Sequence, residues 1–392
     1  MKKLPLLIIL CITVINAFAQ DTMKIHQRAI LVDTHNDVLS NVQINHEDIG
    51  KLQTDGQLDL VRAKQGGLDC QVFSIWCGPQ YGKGTAFKFA NREIDSLYSL
   101  INRYPDRITL VRNSAELKKA VADHKLAAMI GVEGGHMIED RMDYIDSLHK
   151  RGMCYLTLTW NNSTSWATSA YDEKFRYDSL DHHGLTEYGK QIVHHLNDLG
   201  VMIDLSHPSE KTFYDVLAIT NKPVIASHSC AYALNPHQRN LKDDQLKALA
   251  KNGGVVFVNF YSGFVDSTYA KKADAFRLKH KAALDSLTKV YNDEDLADDR
   301  IYAMYKAEAE SMRPPLSLLI KHIDYIAKLI GVDHVGIGSD FDGAESYPKG
   351  MDDVTDYPKI TAALLRLGYS EKDIDKILGG NFIRVLKANT GK

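Results

Sequence analysis

A rhythm constrains this chain more than any other feature. A short run of β-branched and apolar residues is followed by a helix-length amphipathic segment, and the unit recurs eight times. The runs occupy residues 30–37, 68–77, 127–133, 153–160, 201–207, 223–228, 254–261 and 334–340. Unbroken apolar runs of this length suit strands covered on both faces, as in a parallel sheet with helices outside it. Between them, residues 91–103, 114–123, 186–199, 209–220 and 315–330 read as helices, with Ser114 and Ser209 at the capping positions. Eight strand–helix units in series close most simply into an α/β fold, a (β/α)8 TIM-like barrel. A doubly wound open sheet is the alternative that the same rhythm allows. Residues 265–314 break the pattern: they are rich in Ala, Lys, Asp and Glu, read as helical, and carry no strand-like run. They form a helical insertion between strands seven and eight, either a cap over the site or a surface decoration.

Of the 392 residues, 44% are hydrophobic and 25% charged, which is ordinary globular composition. The formal charge of −3 argues against a nucleic-acid partner. Residues 1–19 read as a signal peptide, with Lys2 and Lys3 ahead of an apolar stretch and Ala17-Phe18-Ala19 at the cleavage point. The expectation is therefore an exported protein, periplasmic or extracellular, with residues 20–392 as a single domain and no membrane span after cleavage. Removing two lysines would leave 45 bases against 50 acids, a charge of −5. Cys70, Cys77, Cys154 and Cys230 would remain, without the paired spacing of a structural zinc site.

In α/β barrels the reacting groups sit at the C-terminal ends of the strands. Here the metal-binding residue types collect at those ends. His35 and Asp37 stand two apart on an extended run, so an imidazole and a carboxylate point the same way. The third run ends in Glu133, a carboxylate able to bridge two cations, before Gly134 and Gly135. His207 and His228 close the fifth and sixth runs, and Asp340 closes the eighth. A set of imidazoles and carboxylates suits zinc or a similar transition ion; calcium and magnesium prefer oxygen alone. By contrast, His136, His182, His183, His194 and His195 fall outside the strand ends, and Trp76 and Trp166 read as packing residues. No nucleophile elbow, dinucleotide fingerprint, phosphate loop or His-Glu-x-x-His helix is present.

The segments Thr34–Asp37 (THND), 131–136 (GVEGGH), 204–207 (DLSH), 227–229 (SHS), Arg239-Asn240 and 338–343 (GSDFDG) together resemble the membrane dipeptidase family of metallopeptidases, in order and across nearly the whole chain, from residue 30 to GNFIRVL at 380–386. The resemblance implies the metal-dependent hydrolase type of barrel and two zinc ions bridged by Glu133. His35 and Asp37 would complete one ion's shell, and His207 and His228 the other's. It also implies a hydroxide bridging the ions as attacking group, Asp340 as the acid that transfers the proton, and Arg239 as the substrate-binding cation. The substrate would be a small dipeptide, with a D-residue tolerated at its C-terminal position. A homodimer is compatible with this reading. One departure stands out: where mammalian members of the family carry a substrate-contacting histidine at the end of strand four, this chain has Trp160. Asn161 or Asn162 would then supply the missing hydrogen bond. The C-terminal NTGK also lacks the apolar tail of a lipid-anchored member. Two other readings remain open: a different metal-dependent amidohydrolase, such as a lactonase or β-lactam hydrolase, or a non-catalytic exported binding protein. Barrels of the former kind usually begin H-x-H and bridge their metals with a carboxylated lysine, where this chain offers H-x-D and Glu133.

Overall fold

The computed structural model describes residues 20–40, 47–291 and 294–391, so the expected leader at 1–19 lies outside the described residues. All eight apolar runs fold as parallel strands. They are β1 (Val32–Asn36), β2 (Cys70–Ile75), β4 (Leu126–Glu133), β5 (Met153–Thr157), β6 (Met202–Asp204), β7 (Ile225–Ala226), β8 (Val255–Val258) and β9 (Val335–Ile337), hydrogen-bonded in that order. An additional strand, β3 (Ile108–Leu110), lies off this path and pairs with β4. Three residues make no apolar run, so the sequence rhythm does not reveal it.

The sheet returns on itself. The Asp340 N–H donates to the His35 carbonyl (3.2 Å) and the Asp37 N–H to the Phe341 carbonyl (3.0 Å), joining β9 to β1. Asp33 locks the same seam: its carboxylate accepts from the Ser339 N–H (2.9 Å), the Ser339 hydroxyl (2.6 Å) and the Tyr357 hydroxyl (2.5 Å). An open doubly wound sheet has no such seam, and the barrel reading holds.

Alternation along the strands separates two cores. Val72, Met129, Met202, Val255 and Phe257 fill the barrel interior, whereas Phe73, Ile130, Ile203 and Val256 face the surrounding helices. Glycines on the inner face make room for the largest inner side chains: a Cβ at Gly131 would enter the Tyr155 ring, and one at Gly336 would lie 2.5 Å from Phe257. Phe382, Val385 and Leu386 of the helix Asn381–Thr390 close the bottom of the barrel. The C-terminal mouth remains for function.

The outer helices begin as side-chain chemistry dictates. Ser209 caps Glu210–Ile219 by accepting from the Thr212 N–H. The helix Ser114–Ala122 is capped instead by Asn113, which accepts from the N–H groups of Ala115 and Glu116, so Ser114 is its first residue rather than its cap. The region expected as an insertion contains the helices Tyr269–Lys279, Lys281–Tyr291, Glu294–Met304 and Lys306–Met312, around a small core of Tyr269, Phe276, Ile301 and Tyr302. Glu345 ties this unit to the loop behind Asp340, accepting from the hydroxyls of Tyr261 (2.9 Å) and Tyr269 (3.3 Å) and from Arg277 (3.4 Å). Among the described residues, no helix is long and apolar enough to cross a membrane.

Candidate metal centre

His35 reaches the barrel axis through a defect. Strict alternation would put Val32 and His35 on opposite faces, because they are three residues apart. The pairing of β1 with β2 runs Asp33 to Gln71 and then Asn36 to Phe73, three steps against two, so β1 carries one extra residue. Such a bulge re-aims the side chains beyond it. The His35 ring consequently stacks inside the mouth, its centroid 3.8 Å from that of His228.

Five expected ligands and Asp340 meet there. Glu133, at the end of β4, divides its two oxygens between two groups. Oε1 lies 2.8 Å from His207 Nε2 and 3.3 Å from His228 Nε2, while Oε2 lies 3.3 Å from His35 Nε2. His35 Nε2 is in turn 3.5 Å from Asp37 Oδ2 and 3.8 Å from Asp340 Oδ1. Ligand atoms of His35, Glu133 and His228, and of His35, Asp37 and Asp340, each lie within 4.8 Å of one another. His35, Glu133, His207 and His228 are all buried. The Nε2 atoms of His207 and His228 face one another at 3.0 Å. His35 Nε2 and His207 Nδ1 have no hydrogen-bond partner. His35 Nε2, buried and without a hydrogen-bond partner, is directed at Glu133 Oε2, as expected of a site built for cations.

The charges respond to this crowding. Burial opposes ionisation of Glu133, but the three imidazoles hold it well below the usual carboxylate range. Burial drives His207 down to about 3, with Arg239 adding to the effect, and drives His228 well below its ordinary value. Both are thus neutral imidazoles, the form that ligates metals. Asp340 is pushed up to about 7 by burial, against the pull of His35. Its backbone is left-handed, at φ +61°, and is held by the Tyr347 hydroxyl on its carbonyl (2.9 Å). A non-glycine residue kept in that region is typical of functional loops.

Arg239 lies beside the cluster, 3% exposed, with one nitrogen 3.4 Å from the His228 carbonyl. Its Nε and Nη1 have no partner, and burial lowers it to about 10. A buried guanidinium with idle donors is a receptor for an anion. The Asn161 backbone carbonyl accepts from Ser169 Oγ (2.7 Å), and Asn162 Nδ2 donates to the Ser163 carbonyl (3.5 Å) while its Oδ1 is buried without a partner. Trp160 borders the cluster, its ring centroid 6.3 Å from that of His207 and 5.0 Å from that of Trp76. Trp166 is fully buried packing. His136 is a turn residue whose Nε2 lies 2.9 Å from the Cys77 carbonyl.

Sequence reasoning missed two supporting residues. Asn259, just past β8, donates to Asp340 Oδ2 (2.8 Å). The Tyr155 hydroxyl donates to the Thr34 carbonyl (3.1 Å), so its oxygen accepts from His35 Nδ1 (2.8 Å) and leaves Nε2 free to ligate. A polar residue interrupting an apolar run, as Asn259 does within 254–261, was the available signal; nothing local marks Tyr155. A cavity of about 850 Å³ beneath the insertion is lined by Gln57, Tyr302, Arg313, Asp342 and Glu345, none of them cluster residues.

Comparison with known proteins agrees with this geometry. The model of the membrane dipeptidase family (peptidase family M19) matches residues 19–391. Dipeptidase 3 of Mus musculus is 31% identical over 91% of this chain and 64% of its own length, so this chain spans just under two thirds of that relative. An uncharacterized dipeptidase of Schizosaccharomyces pombe is 32% identical over 94% of this chain and 83% of its own. Among solved structures, a metallo peptidase from Rhodobacter sphaeroides, liganded with a phosphinate mimic of the dipeptide L-Ala-D-Ala, is 26% identical. It superposes with a TM-score of 0.73, covering 92% of this chain and 99% of that one. Eight parallel strands closed into a barrel and a match along nearly the whole chain agree: the chain belongs to the membrane dipeptidase family, peptidase family M19, a family of metal-dependent peptide hydrolases.

Proposed function

We propose that this protein is an exported dipeptidase that holds two zinc ions and hydrolyses the peptide bond of dipeptides, including those with a C-terminal D-residue. The observation that carries the reading is the division of Glu133, one oxygen toward His207 and His228 and the other toward His35. The residues fit a pair of cations: the donors are nitrogen and carboxylate oxygen, and the buried His35 Nε2 that faces Glu133 is unpaired. His207, His228 and Glu133 Oε1 would hold one ion; His35, Asp37 and Glu133 Oε2 the other. When bound, such a pair supplies a water of lowered pKa and polarises the scissile carbonyl.

The chain's own groups do the rest. Asp340, oriented by Asn259, accepts the proton of the attacking water and delivers it to the leaving amine nitrogen. Arg239 binds the substrate's terminal carboxylate with guanidinium N–H groups left unpaired in the site. That anchor sets the scissile bond one residue from the chain end. The helices Tyr269–Lys279 to Lys306–Met312 cap the mouth and exclude longer peptides, a role supported by their tie to the Asp340 loop through Glu345. Tolerance of a D-residue is supported by the ligand of the Rhodobacter sphaeroides relative. Export is supported by the leader-like residues 1–19.

The test is zinc-loaded protein against a panel of L,L and L,D dipeptides, with metal content measured alongside. Two zinc equivalents with dipeptide turnover, both lost in Glu133→Ala, are expected. Fewer than two equivalents in the unaltered protein, or full activity in Glu133→Ala, would overturn the reading.

A further inference from the structure

Two residues of the DLSH and SHS segments have no part in the chemistry above. Asp204 ends β6, three residues before His207, and is fully buried. Its oxygens accept five hydrogen bonds. Oδ1 takes the Ser227 N–H (2.8 Å), the Ser206 hydroxyl (2.9 Å) and the Ser206 N–H (3.2 Å). Oδ2 takes the hydroxyls of Thr157 and Ser227, each at 2.6 Å. Ser227, immediately before His228, has one hydroxyl proton, and this contact commits it to Asp204. Its oxygen can then only accept, and His228 Nδ1 stands 2.8 Å away. The chain of bonds therefore runs one way, from His228 Nδ1–H to Ser227 to Asp204. Nε2 is left as a bare lone pair, facing Glu133 Oε1 at 3.3 Å. His207 makes the contrast, because its Nδ1 has no partner at all.

We propose that Asp204, acting through Ser227, is a positioning residue that fixes the tautomer of His228 and thereby sets its affinity for a divalent cation. The proposal rests on the reading of His228 as a ligand. The physical reason is general: a ligating imidazole whose second nitrogen donates to a fixed acceptor keeps its ring orientation and its free lone pair, and loss of such a partner weakens metal binding about 10–100-fold. Direction matters as much as contact. In Asp204→Asn the amide can donate to Ser227 Oγ, whose proton then turns to His228 Nδ1. The ring proton moves to Nε2, where it blocks the cation.

Two measurements test this. In metal-free protein, ¹⁵N imidazole spectra should show His228 as the Nδ1–H tautomer, changing to Nε2–H in Asp204→Asn. Chelator competition should show one of two zinc equivalents weakened about 10–100-fold in Asp204→Asn and in Ser227→Ala, the other equivalent unchanged. Ser227→Ala deletes one hydroxyl and carries the test if Asp204→Asn does not fold. An unchanged tautomer with zinc affinity within twofold in both variants overturns the relay. If His228→Ala leaves zinc binding untouched, the ligand reading fails instead. The tautomer of the unaltered protein then decides alone: Nδ1–H supports the relay and Nε2–H overturns it.

Discussion

Arg239 offers a perturbation whose effects on stability and on catalysis have opposite signs. The guanidinium is 3% exposed, two of its nitrogens are unpaired, and its one bond, to the His228 carbonyl, is long at 3.4 Å. Burial lowers it to about 10, against an unfolded value above 12. Below pH 10 the group is charged in both the folded and the unfolded chain, so the desolvation penalty is fully present at pH 7 and is relieved only as pH rises past 10. At roughly 1.36 kcal/mol for each pH unit between the two values, the penalty is about 3 kcal/mol. The stacking of Arg239 on Phe264, 5.3 Å from the ring centroid, returns about 0.5–2 kcal/mol. Arg239→Met keeps much of the volume and removes the charge. It is expected to stabilise metal-free protein by about 1–3 kcal/mol at pH 7, read as a shift of the urea midpoint at constant slope. Truncating one partner of a buried charge pair costs about 2–5 kcal/mol. The same variant should therefore lose about 30- to 4000-fold in kcat/KM on a dipeptide. On the C-terminal amide of that dipeptide, which lacks the anion, it should lose little. Destabilisation by more than about 1 kcal/mol, or an equal loss on dipeptide and amide, would refute the reasoning.

Three further outcomes are expected. Asp340→Asn should keep two zinc equivalents while kcat falls about 10²–10⁴-fold; loss of one equivalent would make Asp340 a ligand, as its place beside His35 and Asp37 allows. Asn259→Ala removes the 2.8 Å donor to Asp340 and should lower kcat about tenfold at unchanged zinc content, measured by steady-state kinetics with metal analysis. Asp69, which accepts the Leu31 N–H at 2.9 Å, is pushed by burial up to about 6. Its folded form binds the proton more tightly than the unfolded chain, so its contribution to stability is present below about pH 4 and lost as pH rises through 6. Asp69→Asn should accordingly raise the melting midpoint at pH 7.5, with the gain vanishing toward pH 4.

Much of the fold could be read in advance because strands buried on both faces are rich in apolar residues, even where, as in β1 (VDTHN), only the start of the run is apolar. β3 escaped because a three-residue strand added beside β4 needs no such run. The cap at 114 slipped by one residue, since Asn113 and Ser114 are both good caps and only the backbone conformation decides between them. At the site, His35, Asp37, Glu133, His207, His228 and Asp340 were legible because metal chemistry requires particular residue types at strand ends. Asn161 and Asn162 were placed by neighbourhood alone, since no local pattern fixes how a side chain in the turn after β5 faces.

The order of the elements and the identity of the candidate ligands were set by the sequence itself, through local periodicity and the chemistry of single side chains. Which way those groups face was decided only by tertiary structure. The extra residue in β1 appears solely as a mismatch with β2, and it turns His35 inward. Tyr155 on β5 reaches Thr34 on β1 across the barrel interior, 121 positions away, and Asn259 meets Asp340 across 81 because β8 and β9 are neighbours. The idle donors of Arg239 likewise exist only because the folded barrel buries a guanidinium whose Nε and Nη1 have no hydrogen-bond partner.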